Sequence, residues 1–394
     1  MTAGRESSGL WPLHLKPKGD ELLSSWLVRL ARAHRLKLHT FCSISWPRKQ
    51  IWNRDIDKSA DTEMMEILST KTGTPISQVH ATTLAEYENV LYEKHNTLGP
   101  NSWIMPIGVY HRIRNQFGLQ YCPICLTEDK EAYFRRKWRL AFLVSCERHH
   151  TLLRDRCPRC GAAVNFHRCE LEDHGKLVTA SVTLCYVCRF DLRAINSRFI
   201  TPVTRIESEF TAFLLNAMYA GQVKLSEGIT THSQLYFVGL RQLMKIVAMR
   251  NKRIEQLRRA ISEEFCVEMY SPTMSGPQRD VQEMSIGTRR QLLGIVRCLL
   301  EEWPYRFVEL SRRHRIWSSL WLRHIDPPAR ENCSLAPFWL WSIVHDHLYR
   351  AKYRPSDEEM MEAIKHLKLK GEVVNRSNLA RLLGVALIRR KTDL

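Results

Sequence analysis

Eight residues in the middle of the chain are spaced to hold metal. They are Cys122-Pro-Ile-Cys125, Cys146-Glu-Arg-His149, Cys157-Pro-Arg-Cys160 and Cys185-Tyr-Val-Cys188, four pairs with two intervening residues each. That spacing lets both donors of a tight turn face one ion, and two such turns complete a tetrahedron. Pairing in chain order gives a three-cysteine, one-histidine set (Cys122, Cys125, Cys146, His149) and an all-cysteine set (Cys157, Cys160, Cys185, Cys188). An interleaved pairing would use the same eight residues. Zinc is the ion these donors select, and two ions held by four protein ligands each would stabilise a fold while leaving no position open for water or substrate. Gly161, directly after Cys160, suits the turn that comes after such a pair.

Other donors lie nearby. His150, His167, Cys169 and His174 could replace a ligand, but are read as loop or core positions. Cys42, Cys266, Cys298 and Cys333 have no partner at ligand spacing and are read as small buried hydrophobes. Disulfides are disfavoured. The start of the chain lacks the basic-then-apolar order of an export signal, which implies a reducing, cytoplasmic compartment.

Recognisable catalytic machinery is missing from the sequence. It has no Walker A loop, no Gly-x-Ser-x-Gly elbow, no His-Glu-x-x-His helix and no zinc-deaminase pattern. The expectation is a protein that is not an enzyme. A metal-dependent nuclease built from distant carboxylates is the catalytic alternative that spacing leaves open.

Charge supplies the second signal. Among 394 residues, 59 Lys and Arg face 41 Asp and Glu, for a formal net charge of +18. Seven thiolate ligands and two zinc ions would bring the working figure to about +15. That bias favours polyanionic partners, nucleic acid above all. The excess is distributed: 15 basic against 11 acidic residues over 1–118, 14 against 9 over 119–200, and 30 against 21 over 201–394. The basic surface is therefore expected on folded domains and not on a tail. Arg135, Arg136, Lys137 and Arg139 beside the first donor set, with Arg312, Arg313 and Arg315, are the candidate nucleic-acid or partner contacts. A solvated charged face is the bland alternative for each cluster.

The elements that must position these groups read as helices. A hydrophobic share of 44% and a charged share of 25% exclude wholesale disorder, and the length predicts two or three domains. No apolar run approaches the ~18 residues of a membrane span. Neither an internal repeat nor a low-complexity tract is evident. Asp20 can cap a helix carrying Leu22, Leu23, Trp26, Leu27, Leu30 and Ala31 at spacings of three and four. Met64, Met65, Ile67 and Leu68 form another apolar face, Gly73 stops it, and Thr74-Pro75 starts a helix through Val79, the outline of a helix-turn-helix. Helical spacing returns over 209–218, 235–247 and 289–300, interrupted by loops at 271–277 and 326–328. Ser356 with Glu359 makes a capping box, Gly371 closes that helix, and 377–383 before Gly384 makes a second possible helix-turn-helix, with Arg376, Arg381, Arg389, Arg390 and Lys391 nearby. The fold class is mainly α with a small zinc-stabilised α+β insert. Its parts are a helix-turn-helix-type N-terminal domain (1–118), a tandem zinc-finger domain (119–200) and a helical C-terminal domain (201–394).

Two stretches resemble the TniQ family of transposition target-selection proteins. One is Leu10-Trp-Pro-Leu-His-Leu-Lys-Pro-Lys-Gly-Asp-Glu-Leu-Leu-Ser-Ser-Trp-Leu-Val-Arg-Leu-Ala31, with its proline, acidic residue and helix ending in Arg-x-Ala. The other runs from Tyr121 to Cys160 through Tyr133-Phe-Arg-Arg-Lys-Trp138. The likeness is specific over about 10–190. It is general for Leu310-Ser-Arg-Arg-His-Arg-Ile-Trp317 and Asn378-Leu-Ala-Arg-Leu-Leu-Gly384. The resemblance implies a non-catalytic, nucleoid-associated adaptor that recognises an insertion site, through target DNA or a CRISPR RNA-guided effector. It also implies recruitment of an AAA+ ATPase regulator and transposase, and in some complexes a homodimer. A sequence-specific, zinc-containing DNA-binding regulator is the alternative function. Trp11, Pro12 and Leu13, ahead of the first helix, are the candidate surface for the ATPase, unless Trp11 folds back onto the helix carrying Trp26.

Overall fold

The computed structural model describes residues 9–169, 182–195, 200–226, 228–272, 279–322, 336–349 and 355–384. His174, Cys333, the 326–328 loop, most of the 271–277 loop, and Arg389, Arg390 and Lys391 lie outside the described residues.

Helices dominate. The first group comprises α1 (Leu23–Ala33), α2 (Leu38–Ser45), α3 (Ile56–Ser59), α4 (Thr62–Thr72) and α5 (Ile76–His80). The middle segment holds two short hairpins, β1 (Val109–Tyr110) with β2 (Ile113–Arg114) and β3 (Ser145–Cys146) with β4 (Thr151–Leu152), and one short helix, α6 (Pro123–Glu128). Beyond it come α7 (Arg205–Ala220), the antiparallel pair β5 (Gln222–Ser226) and β6 (Ile229–His232), α8 (Ser233–Val247), α9 (Lys252–Phe265), α10 (Ile286–Leu300), α11 (Tyr305–Arg313), α12 (Ser318–Trp321) and α13 (Phe338–Leu348). The last pair is α14 (Asp357–Leu369) and α15 (Arg376–Leu382).

Side-chain caps set several of the helix boundaries. Thr204 and Glu207 form a reciprocal capping box that opens α7 four residues before the expected start, and Ser285 caps α10 three residues early. Asn251 caps α9, an unanticipated helix whose Ile254, Leu257 and Ile261 recur at helical spacing and are buried. The Ser356–Glu359 box is present as expected. Asp20 is not a cap: α1 begins after Leu22, whose side chain cannot accept, and Asp20 instead turns the chain at φ 59. The α4–α5 pair has the expected outline, with Gly73 in the left-handed region at φ 62, but its second helix is only five residues long.

One buried apolar cluster runs from Leu22 to Leu348 and crosses positions 118 and 200 without a break. Trp103 sits edge-on to Phe142 at 5.7 Å and donates its indole N–H to Phe237 O at 3.1 Å, while Phe142 stacks on Phe237 at 4.9 Å. Arg289 of α10, fully buried, donates to Ala141 O and to Gln120 Oε1 at 3.1 Å. These contacts bind the middle segment to the helices beyond it. α14 and α15 have a small core of their own, made by Ala363, Leu367 and Leu379.

Candidate metal centres and their surroundings

The first donor set is built from a helix start and a hairpin. Pro123 occupies the first turn of α6, where a missing N–H costs nothing, and fixes the backbone between Cys122 and Cys125. Across from it, β3 delivers Cys146, and the connection to β4 turns at His150 (φ 48), leaving His149 beside the three sulfurs. Nδ1 of His149 lies 3.4, 3.3 and 3.5 Å from the sulfurs of Cys122, Cys125 and Cys146, and Cys125 Sγ is 3.6 Å from Cys146 Sγ. Around a tetrahedral zinc with bonds of ~2.3 Å to sulfur and ~2.0 Å to nitrogen, those separations would be about 3.8 and 3.5 Å. The cluster fits. The other imidazole nitrogen, Nε2, lies 2.9 Å from Glu128 Oε2, the carboxylate partner that fixes which nitrogen faces the metal.

The second set is two copies of one turn. Cys157 N–H donates to Ala162 O (2.8 Å) and Gly161 N–H back to Cys157 O (2.9 Å). Cys185 N–H donates to Phe190 O (2.8 Å) and Arg189 N–H to Cys185 O (2.9 Å). Gly161 (φ 73) and Arg189 (φ 59) hold the equivalent left-handed position. Cys157 and Cys188 sulfurs are 3.6 Å apart, as are those of Cys160 and Cys185. All four donor atoms of each set lie within 4.8 Å of one another, so the donors group in chain order and not interleaved. Burial pushes the Cys157 thiol up to about 12, whereas at Cys188 hydrogen bonds outweigh burial and lower the thiol. The two centres differ in setting. Three donors of the first are buried, whereas Cys160 of the second is exposed and Cys188 half-exposed.

The spare donors point elsewhere. His150 Nδ1 meets Ser208 Oγ at 2.6 Å, His167 stacks on Trp52 with its Nε2 against Arg112 O at 3.0 Å, and Cys169 donates to Leu184 O. Cys42 and Cys298 are buried as expected, but Cys266 is exposed, because it occupies the left-handed position that ends α9.

The basic run beside the first centre faces inward, which corrects its reading as a nucleic-acid surface. Arg139, 0% exposed, pairs with Asp55 at 2.6 Å and Asp57 at 3.4 Å and donates to Met105 O at 2.9 Å. Arg135 makes a two-point contact with Asp129 (2.8 and 3.1 Å) and lies over the rings of Tyr133 and Trp138. Arg136 donates to Ala81 O, and Lys137 pairs with Glu147. Burial works to raise Asp55, but Arg139 beside it holds the carboxyl below its ordinary value, whereas burial together with Asp55 raises Asp57. These guanidinium groups tie the N-terminal helices to the middle segment, and their alternation with aromatics in sequence reflects a buried stack. Of the second cluster, Arg313 pairs with Glu264 at 2.8 Å and with Glu309, and Arg312 donates to His347 O at 3.1 Å. Arg315 is exposed, and no partner for its guanidinium occurs among the described residues.

Trp11 is not a free anchor. Its backbone N–H donates to Lys71 O at 2.8 Å, and its ring packs edge-on to Phe41 at 5.0 Å, to Trp46 at 6.2 Å and to His34 at 6.2 Å, so it covers α2 and the C-terminal end of the helix of Trp26. Leu13 remains 47% exposed. No described helix is long and apolar enough to cross a membrane.

No curated protein matches the chain. The TniQ family model matches residues 12–153, from the residue after Trp11 through the hairpin that carries Cys146 and His149. The match thus spans α1 to α6 and all four donors of the first centre, so it is this segment, residues 12–153, that is similar to the TniQ family.

Proposed function

We propose that this protein is a targeting adaptor of transposition, which recognises an insertion site and recruits an AAA+ ATPase regulator that brings the transposase. The observation that carries the reading is the match over 12–153, because the family implies a role in transposition target selection. Each donor cluster holds one structural zinc ion in this reading. Four protein ligands close each site, so the metal shapes the surface and performs no chemistry. The target is reached as DNA or through a CRISPR RNA-guided effector, and a net charge of +18 favours a polyanion in either route.

The test is capture of a purified AAA+ transposition regulator, using the full chain, with and without target duplex. Retention of the ATPase by the zinc-loaded protein supports the adaptor. Duplex binding with no ATPase retention would instead favour a DNA-binding regulator. Added magnesium or manganese should produce no cleavage, and cutting by the purified chain would revive the nuclease alternative.

A further inference from the structure

The chain repeats one unit at a constant offset of 280 residues. Leu30-Ala-Arg-Ala-His-Arg-Leu36 in the first group of helices aligns without a gap on Leu310-Ser-Arg-Arg-His-Arg-Ile316. In both, the leucine and the small residue after it are buried, and an aromatic ten residues beyond that small residue, Phe41 or Trp321, is buried as well. The backbone repeats as well. Leu36 N–H donates to Ala31 O at 2.9 Å and Arg35 N–H to Arg32 O at 2.8 Å. Ile316 N–H donates to Ser311 O at 2.8 Å and Arg315 N–H to Arg312 O at 3.0 Å. These bond pairs are the Schellman ending of a helix, which requires a left-handed residue at its turn. Arg35 and Arg315 occupy that position, each at φ 54, and a helix follows each turn, α2 of eight residues and α12 of four.

Glycine is the residue such an ending favours, since a Cβ is strained there. This chain uses glycine where it only needs to stop a helix: Gly73 after α4 and Gly371 after α14 make the same six-residue bond, Thr74 N–H to Ser69 O and Glu372 N–H to Leu367 O. Cys266 after α9 is a further non-glycine case, without a counterpart elsewhere. At the two repeated turns an arginine takes the strained place, and its side chain is exposed both times. Neither guanidinium has a hydrogen bond or ion pair among the described residues, although most neighbouring arginines are engaged internally. Strain kept twice at equivalent positions points to a job for the side chain.

We propose that Arg35 and Arg315 are phosphate contacts, one from each copy of a duplicated helix-and-turn unit, through which the chain grips duplex DNA at two equivalent points. The inference rests on the targeting reading above and adds the residues that would touch the target. A fully charged, forked donor held out on an exposed turn suits a phosphate of the sugar–phosphate backbone. The net charge of +18 supplies the long-range complement to such a partner.

The experiment is a salt titration of the full, zinc-loaded chain on duplex DNA by fluorescence anisotropy, with Arg35→Gly, Arg315→Gly and the double variant. Each single substitution should lower the slope of log K against log salt by about 0.9, and the double by about twice that. Glycine suits both turns, so melting temperatures should be unchanged or higher, and Arg35→Lys and Arg315→Lys should keep the slope. An unchanged slope in either single variant would overturn the paired grip while leaving the adaptor reading intact. Absence of duplex binding by the unsubstituted chain would overturn the inference and also remove the direct-DNA route from the proposed function.

Discussion

Asp57 caps α1 from 33 residues away: its Oδ1 accepts the backbone N–H of Ser24 at 2.8 Å and its Oδ2 the Ser24 hydroxyl at 2.9 Å. A carboxylate at a helix start answers the orphan donors and the helix dipole there. The same carboxylate faces Arg139 and Arg114, both buried, so it joins the first helix to the middle segment.

Removing that carboxylate leaves two buried cations short of charge. Asp57→Ala is expected to cost about 3–5 kcal/mol, the scale for breaking a buried ion pair. Asp57→Asn keeps an acceptor for the Ser24 N–H and should cost less. Urea unfolding of both variants checks the order, and equal costs would show that the cap contributes nothing of its own.

How much of this was legible in sequence depends on how local each device is. The metal donors come as pairs with two residues between them, and the capping box of Ser356 and Glu359 closes within one turn, so both could be read directly. The cap of α1 could not be, because Asp57 reaches it only through the tertiary fold. Asp20 looked the better candidate for being adjacent. Arg135, Arg136, Lys137 and Arg139 misled for the same reason: their partners Asp129, Ala81, Glu147 and Asp55 span separations from 6 to 84 residues. The repeated Leu-x-Arg-x-His-Arg signature was on view, but its two copies are short and 280 residues apart. Only the matched hydrogen bonds and left-handed arginines mark them as one unit.

Metal content separates the two centres. Elemental analysis should give two zinc ions per folded chain. Glu128→Ala removes the partner of His149 Nε2 and should weaken the first site by about 10–100-fold in chelator competition. Cys157→Ser should release one ion and lower the melting temperature, with the exposed second centre losing metal first in a chelator time course. Unchanged zinc stoichiometry and melting in Cys157→Ser would remove that cysteine from the ligand set.

Acid sensitivity should trace in part to His167. Burial, with Arg114 alongside, holds its pKa well below the usual 6.5, so the folded ring stays neutral. The unfolded chain takes up a proton near pH 6.5, so below that value it binds more protons than the native state. Stability therefore falls as pH drops from about 6.5 toward the folded pKa, by up to ~1.4 kcal/mol per pH unit. His167→Phe keeps a ring against Trp52 and should show a shallower loss between pH 6.5 and 5.5. Parallel denaturation curves at those two pH values provide the check, and identical slopes would assign the acid sensitivity elsewhere.

Arg289 is the third point of attachment. Burial pushes its pKa down to about 10, and its guanidinium donates to Gln120 and Ala141. Arg289→Ala would strand both acceptors in a dry interior and should cost ~2–4 kcal/mol in urea unfolding. A cost below ~1 kcal/mol would mean that water replaces the guanidinium there.

The stack of Trp103, Phe142 and Phe237 has a consequence for engineering. Two of its rings lie inside the segment that matches the family and the third lies far outside it, on α8. The matching segment is therefore not portable. A chimera that keeps residues 12–153 and replaces the C-terminal remainder inherits a socket without its plug, unless the incoming helices present an aromatic at the place of Phe237 and a carbonyl for the Trp103 indole. Exchange of the matching segment between such proteins by cut-and-paste at residue 153 would then yield insoluble hybrids, whereas joins made after α13, beyond the shared core, would preserve the folded body.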